Sequence, residues 1–307
     1  MRLVFAGTPD AAVPSLRRLA ASDHEIVAVV TRSDAPLGRK RVLTPSPVAQ
    51  AAAELGLDII KADRLDAATT DAVRALQPDL GVIVAYGGLV REPLLSLPGH
   101  GWINLHFSLL PRWRGAAPVQ RALIAGDAET GAAVFQLVPE LDAGDVFAEL
   151  RLPVPDGATA ADLLAELADR GAALVSDVVY GIAAGTAHAS PQVGEPTLAP
   201  KLTLDDGRIR WDEPRDAVLS RIRGVTPEPG AHTTLADARL KVLAVAPAPT
   251  DAATLAPGEI VLVGRAVHAG TGSGPIVLER VQPAGKAAMA AADWWRGLRA
   301  EGSVIAS

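Results

Sequence analysis

Cysteine is absent from this 307-residue chain, and aromatic residues make up only 4% of it. Without thiols it can form no disulfide, carry no thiol nucleophile and hold no Cys-ligated zinc or iron–sulfur centre. With so few rings, the core must be packed from Ala, Val and Leu. The 49% apolar content is enough for a sizeable one. No apolar run reaches the ~18 residues of a membrane span. The start, Met1-Arg2-Leu3-Val4, lacks a basic leader ahead of an apolar signal core. Positive charge is not in excess either. The net charge of −6 argues against a uniformly basic nucleic-acid surface. Gly-x-Gly-x-x-Gly and Walker A runs are missing, and His24, His100, His188, His232 and His268 are dispersed without metal-like spacing. A soluble, cytoplasmic protein without a metal is expected.

What is present is alternation. Strand-like runs at 3–6, 25–31, 58–61 and 80–85 interleave with helix-like runs at 15–21, 46–56 and 66–77, and a helix is expected at 118–125. Ser46 is placed to cap the second helix, with Pro47 in its first turn. Residues 80–85 are almost wholly apolar, as in a strand covered on both faces. This pattern predicts an α/β fold, a Rossmann-like, mostly parallel sheet with helices on both faces. Further strands are expected at 131–138 and 146–152, and a long helix at 159–184. Periodicity then fades, with Pro191, Pro196 and Pro200 marking a linker. Beyond it, a helix at 214–223 precedes short alternating runs at 239–245, 259–268 and 275–281, and a closing helix is expected at 287–298. Those runs predict a smaller antiparallel sheet or barrel.

The densest chemistry lies in Ile103-Asn104-Leu105-His106-Phe107-Ser108-Leu109-Leu110-Pro111-Arg112-Trp113-Arg114-Gly115. Alternation puts Asn104 and His106 on one face of a strand, two residues apart. One offers a neutral amide; the other can move a proton near neutral pH. The strand enters a loop broken by Pro111 and Gly115, where open α/β sheets build their sites. Taken alone, the pair could simply satisfy backbone groups at a strand end. Charge is also uneven. Residues 1–204 hold 17 Lys/Arg against 23 Asp/Glu, and residues 205–307 hold 12 of each. Within the acidic part, Arg32, Arg39, Lys40 and Arg41 cluster, opposed locally by Asp34. Such a patch can attract phosphate, although a solvated charged loop is the usual role of one.

The segment from Asn104 to Gly115 matches Asn-x-His-x-Ser-Leu-Leu-Pro-x-x-x-Gly, and the chain thereby resembles the 10-formyltetrahydrofolate-dependent formyltransferases. Separate blocks carry the resemblance through most of the length: Phe5-Ala6-Gly7-Thr8-Pro9-Asp10, Val84-Ala85-Tyr86-Gly87, Leu141-Asp142-Ala143-Gly144-Asp145 and Gln282-Pro283-Ala284-Gly285-Lys286-Ala287-Ala288-Met289. It implies a catalytic trio of Asn104, His106 and Asp142, and a folate-binding segment Ser108, Leu109, Leu110 and Pro111. Arg39, Lys40 and Arg41 are the implied nucleic-acid contacts. Phe107 stands where many members carry glycine, which predicts a narrower pocket mouth or altered loop geometry. Glu228 replaces an aromatic residue between two prolines, so no stacking role carries over.

The implied organisation is a folate-binding catalytic domain over 1–184, a linker over 185–204 and a tRNA-binding, OB-like β-barrel over 205–307. The implied activity is formyl transfer from 10-formyltetrahydrofolate to the α-amine of methionine on initiator tRNA, by a monomer. Asn104 can donate to a tetrahedral oxyanion, His106 can move a proton, and Asp142 can orient the imidazole. Two alternatives stay open: a folate-dependent transferase or hydrolase with a small-molecule acceptor, and an RNA-binding protein without catalysis.

Overall fold

The computed structural model describes residues 1–38, 40–300 and 302–307. The chain divides into two compact units. One comprises Met1–Pro118, Glu129–Leu152 and Leu164–Ala199; the other comprises Val119–Ala128, Pro153–Leu163 and Pro200–Ser307. Residues 185–199 thus group with the first unit.

In chain order the first part runs β1 (Arg2–Gly7), α1 (Val13–Ala20), β2 (Glu25–Thr31), α2 (Pro47–Glu54), β3 (Ile59–Lys61), α3 (Ala67–Ala75), β4 (Leu80–Val84) and β5 (Trp102–His106). After these come α4 (Pro118–Ala125), β6 (Glu129–Gln136), β7 (Val146–Pro153) and α5 (Ala160–Ala183). The sheet order is β7-β6-β5-β4-β1-β2-β3. Pairs β1–β2, β1–β4, β2–β3 and β4–β5 are parallel, and β5–β6 is antiparallel. Every residue of β4 is buried, as a strand covered on both faces requires. Helix starts follow their caps: Ser46 accepts from Ala49 N–H at 3.0 Å ahead of Pro47, and Asp66 accepts from Thr69 N–H at 2.9 Å.

Strand β5 is held firmly. Trp102 fills the space beside Gly81 of β4, where an added Cβ would lie 2.1 Å from the indole, and its Nε1 donates to Leu94 O at 2.8 Å. Ile103 and Leu105 are buried as well, each burial stabilising by about 1.5–3 kcal/mol. Helix α5 approaches closely, since a Cβ on Gly171 would meet Leu105 Cδ2 at 2.8 Å. Its apolar stripe buries Leu163, Leu167, Val175, Val178 and Val179.

The second unit is β-rich. After α6 (Arg215–Gly224) come β8 (His232–Leu235), β9 (Ala238–Pro247), β10 (Glu259–Val263), β11 (Ala266–Ala269), β12 (Ile276–Pro283) and α7 (Ala291–Leu298). The antiparallel order is β8-β9-β12-β11-β10, extended by Val304–Ile305. Its core joins Leu240, Val242, Ile260, Val267 and Leu278 to Trp211, Val218, Ile222, Trp294 and Trp295.

Several expectations shift here. The run at 259–268 is a hairpin rather than one strand, turning at Gly264 with φ +62°. The closing helix begins only at Ala291, because Met289–Ala290 extends to pair with β12. Strand β8 had no expected counterpart. The strand ladder is an open path, not a closed barrel. Among the described residues no helix is long and apolar enough to cross a membrane.

Candidate active site

The C-terminal end of β5 carries Asn104 and His106 between two strands. Asn104 pairs with Ile83 of β4 on one side and Phe135 of β6 on the other, and His106 lies opposite Ala133. His106 is 6% exposed. Its Nε2 lies 2.8 Å from Trp113 O. A carbonyl only accepts, so this nitrogen carries the proton, and Nδ1 is left as the free lone pair of the neutral ring. Trp113 has a left-handed backbone, φ +62°, which turns its carbonyl toward the imidazole. Nδ1 faces Asp142 Oδ2 at 3.8 Å. Burial pushes the His106 pKa below its ordinary 6.5, while the Asp142 charge and the Trp113 carbonyl pull it back up. The net direction is downward, favouring the neutral ring, with Nδ1 toward a carboxylate.

Asp142 reaches this position from the loop between β6 and β7. It too has a left-handed backbone, φ +45°, a conformation Asp tolerates better than most residues. Its Oδ2 accepts from Gly115 N–H at 2.7 Å, so the two motif loops are tied directly. Glycine is required at both anchors. A Cβ on Gly115 would meet Ala199 O at 2.8 Å, and one on Gly144 would lie 1.7 Å from Gln136 O. Asp142 and His106 therefore belong to one construction, and Asn104 lies two residues before His106 on β5. Asn104 Oδ1 is buried and has no hydrogen-bond partner among the described residues. A carboxamide can turn end for end about its last torsion, so this group is free to present either an acceptor or two donors.

The other expected site residues fall into two groups. Ser108 is buried and donates to Arg112 O at 2.6 Å, closing the turn. Leu110 packs against Ala133 and Phe135, and Pro111 is buried. Leu109 is half-buried. Phe107 is also buried. Lys40 and Arg41 are exposed in the turn of a hairpin formed by Ala35–Leu37 and Val42–Thr44, beside exposed Leu37, Val42 and Leu43. Arg39 lies outside the described residues.

Two residues had no signal in the sequence. Gln192 and Thr197 lie in the proline-marked stretch read as a linker, yet both bond to the site loops. Gln192 Nε2 donates to Asp142 O and Gly144 O, and Thr197 Oγ1 accepts from Trp113 N–H at 2.9 Å. Leu198–Ala199 pairs with Arg114–Gly115 as a short parallel ladder. Neither periodicity nor a local motif marks a side chain whose partners are all distant carbonyls and loops.

Comparison with known proteins bears on the same residues. A family model described as "Formyl transferase" matches residues 1–179, and one described as "Formyl transferase, C-terminal domain" matches 201–299. The chain is 63% identical over 301 residues to a protein of Leifsonia xyli subsp. xyli named methionyl-tRNA formyltransferase, covering 98% of this chain and 99% of that one. Among solved structures it is similar to WlaRD, a sugar 3N-formyl transferase crystallised in the presence of dTDP and 5-N-formyl-THF. There the TM-score is 0.69 at 14% identity, covering 94% of this chain and 99% of that one. It is also similar to a methionyl-tRNA formyltransferase from Clostridium thermocellum, with a TM-score of 0.57 at 16% identity over 80% and 93% of the two chains. At such identities the structural likeness establishes the fold.

Proposed function

Because the chain belongs to the formyl transferase family, we propose that it transfers a formyl group from 10-formyltetrahydrofolate to the α-amine of methionine on initiator tRNA. The observation that carries this reading is the approach of Asp142 to His106 Nδ1, two residues along β5 from Asn104, whose buried Oδ1 has no hydrogen-bond partner among the described residues. Bound 10-formyltetrahydrofolate would supply the one-carbon unit. Asn104, whose buried oxygen lacks a partner among the described residues, fits a group that brings its own polar edge to this end of β5. Leu109 and the backbone of Ser108–Pro111 would hold the donor, since the Ser108 hydroxyl and the Leu110 side chain are otherwise engaged.

His106 then has a defined task. Its neutral Nδ1 takes the proton that the attacking amine must lose as the new C–N bond forms. Asp142 favours the imidazolium that results, and Trp113 O keeps the ring in the right tautomer throughout. The Asn104 amide donates to the formyl oxygen as negative charge develops there. The proton on His106 is available to the departing nitrogen when the old C–N bond breaks. The net transfer consumes no proton at the protein.

Lys40, Arg41 and Arg39 would neutralise phosphates at the acceptor end of the tRNA. We assign residues 1–184 as the catalytic part and 205–307 as a tRNA-binding, OB-like barrel, with 185–204 as a connecting stretch whose residues 192–199 also bond to the site loops. Two backbone hydrogen bonds exchanged by Thr234 and Ser307, at 2.8 and 2.9 Å, support a near-closed sheet. The protein is read as a cytoplasmic monomer. The test is transfer of labelled formyl from the folate to charged initiator tRNA, charged elongator tRNA and small amines in parallel. Formylmethionine on the initiator is the expected product; preference for a small amine without tRNA dependence would overturn the reading.

A further inference from the structure

We infer that Gln192 is a positioning residue for the reaction assigned above, a side-chain amide that sets where Asp142 stands relative to His106. This rests on the proposed function and deepens it. Gln192 follows α5 in a stretch without helix or strand of its own. Its Nε2 donates to Asp142 O at 2.9 Å and to Gly144 O at 2.8 Å, so one amide spans the turn that carries the carboxylate. Its Oε1 accepts from Arg114 Nε at 3.1 Å and from Nη2 at 2.6 Å. A long side chain with two donors and an acceptor satisfies both carbonyls and the guanidinium at once.

The Asp142 backbone lies in the left-handed region, which a non-glycine residue keeps only where its surroundings impose it. The Gln192 amide supplies that constraint on the carbonyl side, and Gly115 N–H supplies it on the carboxylate side. The same stretch fastens the loop on the other side of the imidazole. Thr197 Oγ1 accepts from Trp113 N–H at 2.9 Å, and Thr197 O accepts from Arg114 N–H at 2.8 Å. Residues 192–197 thus hold both partners of His106, the carboxylate facing Nδ1 and the carbonyl facing Nε2. Displacement of a catalytic group by ~1 Å costs on the order of 10²-fold in rate.

The test uses Gln192→Met and Gln192→Glu in the full chain. Met keeps the length without polarity. Glu keeps a partner for Arg114 but removes both donors to the loop. Each should lower kcat for methionyl-tRNA formylation by about tenfold or more, with KM for tRNA and folate within about twofold. NMR titration of the imidazole in Gln192→Met should move His106 to lower pH, in the same direction as Asp142→Asn. The groups facing the ring are Asp142, Trp113 O and the Phe135 edge, and retreat of the carboxylate removes the one charge that raises it. Parental kcat and titration in Gln192→Met would overturn the inference. So would losses in both variants that only track a falling folded fraction, with the titration unmoved. A parental chain that formylates no methionyl-tRNA would defeat the assigned reaction instead, and the titration would still decide the claim for Gln192.

Discussion

The two units treat buried polar side chains differently. The buried side-chain atoms without a hydrogen-bond partner among the described residues are Ser15 Oγ, His24 Nε2, Asn104 Oδ1 and Thr130 Oγ1, and all lie in the first unit. In the second, Trp211 Nε1 donates to Thr233 Oγ1 at 2.9 Å, which itself donates to Ser307 O at 3.1 Å. Thr271 Oγ1 likewise donates to Gly274 O at 2.5 Å. An unsatisfied buried polar group costs about 1–3 kcal/mol, so its persistence asks for a reason. Of these four residues, Asn104 shares a strand face with His106, whose Nδ1 faces the Asp142 carboxylate. An orphaned atom points to chemistry where it converges with a titratable pair, and not by itself.

Replacing His106 should have the largest effect. His106→Gln keeps a polar side chain but no base, and should lower formylation by about 10²–10⁴-fold with tRNA binding nearly intact. The second unit offers the control, because His268 on β11 is equally buried at 6% exposure. His268→Gln should leave the rate per folded molecule close to parental. An equal loss of kcat in both would reduce His106 to a core residue. The same substitution changes acid stability. A folded-state pKa below 6.5 means that the unfolded chain binds the proton first, so stability falls as pH drops from above 6.5 through the lower folded value. His106→Gln should remove that share of the slope in urea midpoints measured across the range.

Asn104→Ala sharpens the comparison directly. The rate should fall by about 10²–10³-fold, the usual cost of removing one oxyanion donor. Stability should hold, since the deleted oxygen had no partner to lose. Thr233→Val should do the opposite. It strands the buried Trp211 indole N–H, while the Ser307 carbonyl keeps Thr234 N–H, and should cost about 1–3 kcal/mol in chemical denaturation while the rate per folded molecule is kept. If Asn104→Ala destabilises as much as Thr233→Val, the amide is structural, and the contrast between the units fails.

The α/β architecture was legible because strands buried on both faces must be apolar throughout, as Leu80–Val84 is, and because Ser46-Pro47 punctuates a helix in only one way. Asn104 and His106 could be placed on one face from alternation alone. What period and motif could not give was tertiary. The carbonyl of Trp113 is turned on the imidazole by a left-handed residue, and a backbone oxygen leaves no mark in a sequence. Gln192 and Thr197 sat in a stretch that looked unstructured because their order comes from distant loops rather than from repeating neighbours. The hairpin at Ala35–Leu37 and Val42–Thr44 was hidden for a related reason, since its exposed Leu37, Val42 and Leu43 break the rule that apolar positions face a core.

Charge provides the finest comparison between the units. Lys40 and Arg41 lie exposed at a hairpin turn in the first. Arg239, at the start of β9, and Lys286, just after the end of β12, lie exposed in the second, where Ala284 N–H donates to Arg239 O at 3.0 Å. Replacing either pair by Ala removes two positive charges without altering His106, Asn104 or Asp142. Each cation that meets a phosphate contributes about one unit to the slope of log affinity against log salt, with duplex RNA and single strands near the lower end of that range. Lys40→Ala with Arg41→Ala should therefore raise the tRNA KM at low salt, flatten its salt dependence by roughly one to two units and leave kcat unchanged. If the flattening follows Arg239→Ala with Lys286→Ala instead, the second unit carries the phosphate contacts, and the hairpin turn is a solvated loop. A flattening shared between the pairs would place the RNA on both units, since the two sets of counterions are then released together.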